Sequence, residues 1–204
     1  MKPKDPRRGP GRPSDRTPDA RQAPDPRQYT DRLELVPIAP ADLGEMHSLY
    51  TDPDVRRHLW DDLVVDHVET DNVIRASMRT FRAHQYGLYR LQHRSQQVLV
   101  GVAGLRETGT EAELVVAIHP RFQRQGYARE AGTAVLGHAL RKVRLRRVIA
   151  MCDVANEAAR AFVRALGMRE QHVTRASGPD RTVDVVLYEI TLADLPPAVV
   201  ARAS

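Results

Sequence analysis

The chain has 204 residues, of which 42% are hydrophobic and 28% charged, so it can bury one substantial core but is short for two domains. No apolar run is long enough to cross a bilayer, the N-terminus lacks the apolar block of a secretory signal, and the single cysteine, Cys152, cannot form an internal disulfide. No Cys/His spacing is typical of zinc either, so we expect no metal site and predict a cytoplasmic protein that has no membrane partner.

The net charge of +5 belongs mostly to an N-terminal segment. Residues 1–28 contain eight Lys or Arg and four Asp, a balance of +4 that leaves only +1 for residues 29–204. The segment also holds half of the 14 prolines and almost no large apolar residue, so we predict a disordered tail. Within it, Gly11-Arg12-Pro13 matches the core of a minor-groove AT-hook, but the fuller basic flanks are missing and a solvated extension is the favoured interpretation.

From residue 29 onward, hydrophobic periodicity and turn residues predict strands and helices in alternation. The first half contains a strand at 33–37, helical segments at 40–50, 54–60 and 66–84, a β-hairpin of 86–92 with 98–105, and a strand at 113–118. Asp42 and Glu45 have the spacing of a helix capping box. The second half contains helices at 126–143 and 156–166 and strands at 147–152 and 183–190, with a short strand at 169–174 left open.

This order predicts one mixed α/β domain over residues 29–192, with helices packed on a central sheet. Residues 193–204 are expected to form a C-terminal tail.

One strand–loop–helix junction has the features of a diphosphate site. The strand ends at Ile118, and the loop 121–125 leads into a helix that begins at Gly126. The first turn of a helix leaves amide N–H groups without partners and carries partial positive charge, and a glycine there lets phosphates approach the backbone. Ala128 is small for the same reason, and positive charge is added by Arg121, Arg124 and Arg129. These residues alone leave an ordinary strand-to-helix turn equally open.

Within this junction, Gln123-x-x-Gly126-x-Ala128 matches the Gln/Arg-x-x-Gly-x-Gly/Ala signature of the GNAT superfamily of N-acetyltransferases. Three further blocks, correctly spaced, are similar to the subfamily that acetylates ribosomal-protein N-termini (RimJ/RimL-like). They are the helix start 127–131, the block 156–168 that opens with Asn156, and an opening made of Arg32-Leu33-Glu34-Leu35, Asp42 and 50–56. The chain resembles this subfamily over roughly residues 30–192.

The resemblance implies a GNAT fold, which is a mixed central β-sheet with splayed strands flanked by helices, and acetyl-CoA as co-substrate. The pantetheine arm would pair like an added strand with the backbone of Val116, Ala117 and Ile118. The pyrophosphate would lie on the loop and helix start, at Gln123, Arg124, Gln125, Gly126, Tyr127, Ala128 and Arg129. Asn156 would hydrogen-bond the pantetheine or a nearby water, a role compatible with simple helix N-capping.

The implied reaction moves an acetyl group to a primary amine, either a protein N-terminal α-amine or a small-molecule amine. Glu113 and Asn156 are the predicted catalytic residues. Glu113 is the leading base candidate because the subfamily often has Glu at this place on the strand that faces the thioester; the alternative is a solvent-facing strand residue. Asp153 is a weaker base candidate, and His119 is more simply a loop histidine. A backbone N–H of the splayed strand would polarise the thioester carbonyl.

Two positions depart from the subfamily pattern. The Tyr that many relatives use as general acid is Val163 here, and the Ser three residues after the Asn is Ala159. Tyr188 could reach the site or be a half-buried sheet tyrosine. These departures motivate an alternative function, a catalytically weak acyl-CoA-binding regulatory module whose tail docks to nucleic acid or a partner.

Three further expectations concern the acceptor side, nucleic acid and the oligomeric state. Trp60 and the helix after it are expected on the acceptor side, although Trp60 could equally be a packing residue. The basic cluster at 141–147 is interpreted as cations that complement a helix C-terminus, so nucleic acid is not an expected partner. We expect a monomer or a homodimer.

Overall fold

The computed structural model describes residues 26–60, 62–177 and 182–195. Most of the predicted N-terminal tail, including Gly11-Arg12-Pro13, lies outside the described residues, as does the chain after residue 195. Of the helices in these ranges, none combines the length and the apolar character needed to span a membrane.

Eight strands and five α-helices follow one another along the described chain. The strands are β1 (Gln28–Tyr29), β2 (Leu33–Pro37), β3 (Leu88–His93), β4 (Leu99–Thr108), β5 (Glu111–Ile118), β6 (Val148–Asp153), β7 (Arg169–Ser177) and β8 (Thr182–Ile190). The helices are α1 (Leu43–Thr51), α2 (Pro53–Leu59), α3 (His67–His84), α4 (Tyr127–Gly137) and α5 (Glu157–Ala165). Short 3-10 turns lie at Pro40–Asp42, Pro120–Phe122 and Leu192–Asp194.

The predicted order of strands and helices is confirmed, with differences at the element ends. The strand left open at 169–174 is β7, and the two-residue β1 is not among the predicted strands. β5 starts two residues earlier than predicted, because Gly109 and Thr110 close a tight hairpin turn directly after β4. Gly109 makes this turn with φ +61, a left-handed conformation that suits glycine.

All eight strands form one sheet in the order β1-β2-β3-β4-β5-β6-β8-β7. Neighbouring strands are antiparallel except β5 and β6, which are parallel and connected through α4. A parallel pair needs such a crossover because its strand ends lie at opposite edges. The predicted mixed sheet flanked by helices is therefore confirmed.

Helices cover both faces of the sheet and bury a core on each. Ala131 of α4 and Val163 of α5 belong to the core on one face, and Ile74 of α3 belongs to the core on the other. β5 serves both, since Leu114 lies in the first core and Val115 in the second. This two-sided burial explains why β5 is a continuous apolar run rather than an alternating one.

The predicted capping box at the start of α1 is wrong. The Asp42 side chain makes no cap bond to α1; instead it accepts from the Ala39 N–H at 2.8 Å and from Arg90 at 3.0 Å. Glu45 pairs with the same guanidinium, at 2.9 Å. Arg90 comes from β3, and its charge-assisted bonds compete for both carboxylates that a capping box would use.

The predicted helix at 126–143 is divided. Gly126 is the N-cap of α4, with φ +85, and α4 ends at Gly137. The chain then continues as a π-helical segment, His138–Val143, with Arg141 and Lys142 in its last turn. These cations lie where they complement the partial negative charge of a helix C-terminus.

Candidate active site

The parallel strands β5 and β6 separate soon after they meet. In the described sheet they share one register pair, Glu113 with Ile149, after which β5 continues to Ile118 and β6 to Asp153. The separation opens a cleft of about 610 Å³, which is lined by both strands, α2 and the start of α5. An elongated ligand that enters this cleft meets the edge of β5 as an added strand would.

The edge of β5 along the cleft offers unpaired backbone groups. The His119 N–H donates to the Val100 carbonyl at 2.9 Å, on the β4 side. Because backbone direction alternates along an antiparallel ladder, the N–H and C=O of Val116 and Ile118 turn toward the cleft. The Gln123 side chain occupies the Ile118 carbonyl, so the groups left for a ligand are the N–H and C=O of Val116 and the N–H of Ile118. The N–H and C=O of Ala117 turn toward β4, so Ala117 lines the cleft without offering its backbone.

The loop between β5 and α4 presents a run of backbone amides. Gln123 closes the loop, because its Nε2 donates to the Ile118 carbonyl at 3.0 Å. The amides of residues 124–126 donate to no described group, and those of 127–129 lie in the first turn of α4, where a helix has no acceptor for them. Gly126 supports this path with φ +85. The junction thus has the form that binds a phosphate group.

Three arginines lie along this junction in the chain. The side chains of Arg121, Arg124 and Arg129 are exposed. The Arg121 amide donates to His119 Nδ1 at 3.3 Å, so His119 caps the short turn that follows it and is a loop residue. The Tyr127 side chain is buried in the core, so Tyr127 can offer only its backbone to a ligand at the loop.

Arg32, just before β2, ties this junction to the sheet. Its Nη1 donates to the Gln125 carbonyl at 3.0 Å, its Nε donates to Glu130 at 2.7 Å, and its guanidinium lies 4.1 Å from the Tyr127 ring centroid. Glu130 also accepts from the Arg32 amide at 2.9 Å and from the Thr30 hydroxyl at 2.6 Å. Burial raises the pKa of Glu130, but these hydrogen bonds and the Arg32 charge outweigh burial and hold the pKa below its ordinary value.

The sequence prediction missed this role of Arg32. Arg32 belongs to the opening block of the resemblance, but Glu130 lies 98 residues away and no spacing signal links the two. The pairing neutralises a carboxylate in the first turn of α4, where an unpaired negative charge would oppose anion binding.

Asn156 is the N-cap of α5, and its Oδ1 accepts from the Ala159 amide at 3.0 Å. The capping interpretation is therefore confirmed. Asn156 also lines the cleft, and none of the described residues bonds its Nδ2. One side chain can thus cap the helix with its oxygen and offer a donor to a ligand.

Glu113 lies where β5 and β6 part, and it lines the cleft with only 3% of its surface exposed. Its carboxylate accepts from Arg106 Nε at 2.8 Å, from Arg106 Nη2 at 3.1 Å and from the Thr108 hydroxyl at 2.7 Å. The alternative of a solvent-facing strand residue is wrong, because this part of β5 is covered on both faces. Oε2 accepts two of the three hydrogen bonds and Oε1 accepts one.

Cys152 on β6 also lines the cleft, a position that the sequence prediction did not include. Burial raises the pKa of its thiol to about 11, and the charges of Asp153 and Glu113 add to the increase. The thiol is therefore protonated at neutral pH and is a poor nucleophile. Asp153 is partly exposed at the end of β6. Its backbone carbonyl accepts a hydrogen bond from the backbone N–H of Asn156 at 2.9 Å.

A second cavity, of about 300 Å³, adjoins the cleft between the sheet and helices α1, α2 and α3. Leu59, Arg106 and Val115 line both spaces. Trp60 lines the cavity and packs edge-on to Tyr50, with 5.4 Å between ring centroids. Trp60 is thus both a packing residue and part of a cavity wall.

The two positions considered for a general acid lie in the core. Tyr188 is fully buried, and its hydroxyl donates to Glu170 at 3.0 Å and accepts from Arg160 at 3.2 Å. It does not line the cleft, so it is a sheet tyrosine. Val163 is buried between α5 and the sheet, and Ala159 is an apolar part of the cleft wall.

Comparison with known proteins places this chain in a family. The GNAT acetyltransferase domain matches residues 32–169, more than half of the chain. A search of curated proteins by sequence gave no match.

Solved structures share the fold. A GNAT-family acetyltransferase from Bacillus anthracis is similar with a TM-score of 0.68 at 21% identity, over 81% of this chain and 98% of that one. The ribosomal-protein α-N-acetyltransferase RimL in complex with coenzyme A gives a TM-score of 0.69 at 19% identity, over 79% of this chain and 95% of that one. Spermidine N-acetyltransferase from Vibrio cholerae, in complex with CoA and spermine, gives 0.66 at 19%, over 81% and 98%. On the family match, this chain belongs to the GNAT acetyltransferases and is an acetyl-CoA-dependent acyltransferase.

Proposed function

We propose that this chain is an N-acetyltransferase that moves the acetyl group of acetyl-CoA to a primary amine. The observation that carries the proposal is the cleft between β5 and β6, which begins at the Glu113–Ile149 pair and ends at a loop of unpaired amides. The two CoA-bound relatives act on a protein α-amine and on a polyamine, which supports an amine as the acceptor class. A cytoplasmic location is part of the same proposal.

The donor would be held along the cleft by groups of this chain. The amides of residues 124–129 would bind the diphosphate, with Arg124 and Arg129 adding positive charge. The backbone of Val116 would pair with the pantetheine arm, and Asn156 Nδ2 would donate to it or to a water. Gln123 would act by closing the loop, because its side-chain amide already donates a hydrogen bond to the Ile118 carbonyl.

Acetyl-CoA supplies an acetyl thioester, whose carbonyl carbon forms a bond to the amine nitrogen while its bond to sulfur breaks. The proton that leaves the amine would go to Glu113 through a water held at Oε1, the carboxylate oxygen that accepts a single hydrogen bond. Arg106 would hold the Glu113 carboxylate in place through two hydrogen bonds. An α-amine requires less help than a lysine amine, since their ordinary pKa values are about 7.8 and about 10.4.

The thiolate would leave without an acid from α5. The described residues of α5 that line the cleft are Ala158, Ala159, Phe162 and Val163, and none can donate a proton. A thiol has an ordinary pKa of about 8.5, so its thiolate is stable enough to leave and can take up the amine proton afterwards. This arrangement also motivates the alternative, a weakly active acyl-CoA-binding regulatory module.

The test is acetyl-CoA turnover by the full chain with a panel of amines: N-terminal peptides, polyamines and aminoglycosides. We expect free CoA to form in step with an acetylated amine detected by mass spectrometry. Tight CoA binding without transfer to any of these amines would overturn the transferase proposal and support the regulatory alternative.

A further inference from the structure

The cavity beside the cleft has an apolar wall. Its volume of about 300 Å³ is at the lower end of the range for small-molecule sites, enough for one large side chain. The wall is built by Tyr50, Leu59, Val73, Leu88, Leu105 and Val115. Burying an apolar group here would gain free energy in proportion to the area removed from water.

The carboxylate of this wall is already committed. Glu107 accepts from the Thr80 hydroxyl at 3.4 Å with one oxygen and lies 3.1 Å from His84 Nε2 with the other. Thr80 also donates to the Ala76 carbonyl at 3.1 Å. Among the described lining residues there is no other carboxylate. The cavity is therefore poorly suited to an acceptor, such as a polyamine, that carries a further cationic amine besides the one to be acetylated.

One cation lies at the rim of the wall. The side chain of Arg79 is exposed there and makes no ion pair with a described residue. A ligand oxygen would pair with this guanidinium. The Nε1–H of Trp60, in the same wall, is buried without a hydrogen bond and has no surface toward the cavity, so it offers no donor to a ligand.

The cavity opens toward the proposed reaction centre. Arg106 lines both the cavity and the cleft, and its guanidinium bonds Glu113. A ligand whose side chain fills the cavity can therefore place an amine close to Glu113, if the amine is on the carbon that bears this side chain.

We infer that the acceptor is an α-amine that carries an apolar side chain and an adjacent carbonyl or carboxylate oxygen, as an amino acid or a peptide N-terminus does. The side chain fills the cavity, and the oxygen pairs with Arg79 at its rim. This inference rests on the proposed function and specifies its substrate. Polyamines lack both features and are poor acceptors.

The test compares acceptors with the full chain and acetyl-CoA. L-phenylalaninamide and L-leucinamide are expected to exceed glycinamide and spermidine in kcat/KM by at least roughly tenfold, because each buried methylene adds discrimination. Free L-phenylalanine, L-phenylalaninamide and a Phe-Ala peptide distinguish the source of the oxygen. A carboxylate ligand predicts that Arg79→Gln weakens only free phenylalanine. Glycinamide or spermidine turned over as well as phenylalaninamide would overturn the inference.

Two variants test the cavity itself. Ala76→Phe on α3 fills it and should abolish the preference for phenylalaninamide over glycinamide, whereas Ala83→Phe, an exposed position on the same helix outside the wall, should not.

Binding to the CoA-loaded protein, measured by calorimetry, separates the two proposals. Phenylalaninamide that binds in an Ala76-dependent way, when neither it nor any other amine is acetylated, upholds the cavity assignment and defeats the transferase proposal. Transfer to other amines without such binding upholds the transferase proposal and overturns the cavity assignment.

Discussion

Arg32 and Glu130 are joined by two hydrogen bonds, from Arg32 Nε to Oε2 at 2.7 Å and from the Arg32 amide to Oε1 at 2.9 Å. Through this pair the start of β2 fixes the first turn of α4. Since Arg32 also donates to the Gln125 carbonyl, one guanidinium both holds the loop and neutralises the carboxylate beside it.

Replacing Arg32 should therefore weaken donor binding more than catalysis. For Arg32→Ala we expect CoA affinity to fall about tenfold, or ~1.4 kcal/mol, with a smaller change in kcat at saturating acetyl-CoA. Calorimetric titration with CoA measures the affinity. Arg75→Ala, which removes an exposed pair with Asp71, is the matched control and should bind normally. Unchanged affinity in Arg32→Ala would exclude the positioning role.

The glycine at the N-cap of α4 and the glycine that ends α4 should respond in opposite ways to alanine. Gly126→Ala places a Cβ on a residue with φ +85 and should lower the free energy of unfolding by about 1 kcal/mol and weaken CoA binding. Gly137 has φ −60, and a Cβ there would meet only Arg141 Nη1, at 3.7 Å. Gly137→Ala should therefore stabilise the protein by about 0.5–1 kcal/mol in urea denaturation. Equal effects of the two changes would contradict this account.

Glu113→Gln should separate the proposed base from a structural ion pair. The amide keeps the shape and some hydrogen bonds but cannot take a proton, so kcat should fall about a hundredfold while KM for acetyl-CoA changes little. Glu111→Gln, on the same strand, loses an exposed pair with Arg147 and should keep its kcat. A stable Glu113→Gln enzyme with normal kcat and pH profile would remove Glu113 from the mechanism.

Asn156 has two roles that different substitutions can divide. Asn156→Asp keeps an oxygen for the Ala159 amide and should retain stability, but it removes the Nδ2 donor and should weaken CoA binding. Asn156→Ala removes both and should also lower the free energy of unfolding by ~1 kcal/mol. Thermal melts and CoA titrations of the two variants measure these effects. If the Asp variant binds CoA normally, Asn156 is only a cap.

Cys152 should be dispensable, because direct transfer needs no acyl-cysteine. With its thiol pKa raised to about 11, roughly one molecule in a thousand carries the thiolate at pH 8. Cys152→Ala should keep kcat within about twofold, and iodoacetamide should modify the wild-type thiol slowly. Loss of transfer in Cys152→Ala, with CoA binding intact, would point instead to a covalent route.

Much of the fold follows from local patterns. Apolar alternation, the turn at Gly109 and the N-cap Asn156 are short-range features, and each predicted element is present. The capping box at Asp42 failed because a long-range partner, Arg90, competes for the carboxylates. Spacing alone does not reveal such competition.

The sequence by itself determined the order of elements and the strand–loop–helix junction that we propose binds the diphosphate, because both depend on residues close together in the chain: a strand end, Gly126 and a helix start. Only the tertiary structure decided what surrounds that junction. The Arg32–Glu130 pair, the burial of Glu113 against Arg106 and the cavity beside Trp60 depend on which strands are neighbours and where each side chain points. Those relationships arise when the sheet assembles, so no local pattern encodes them.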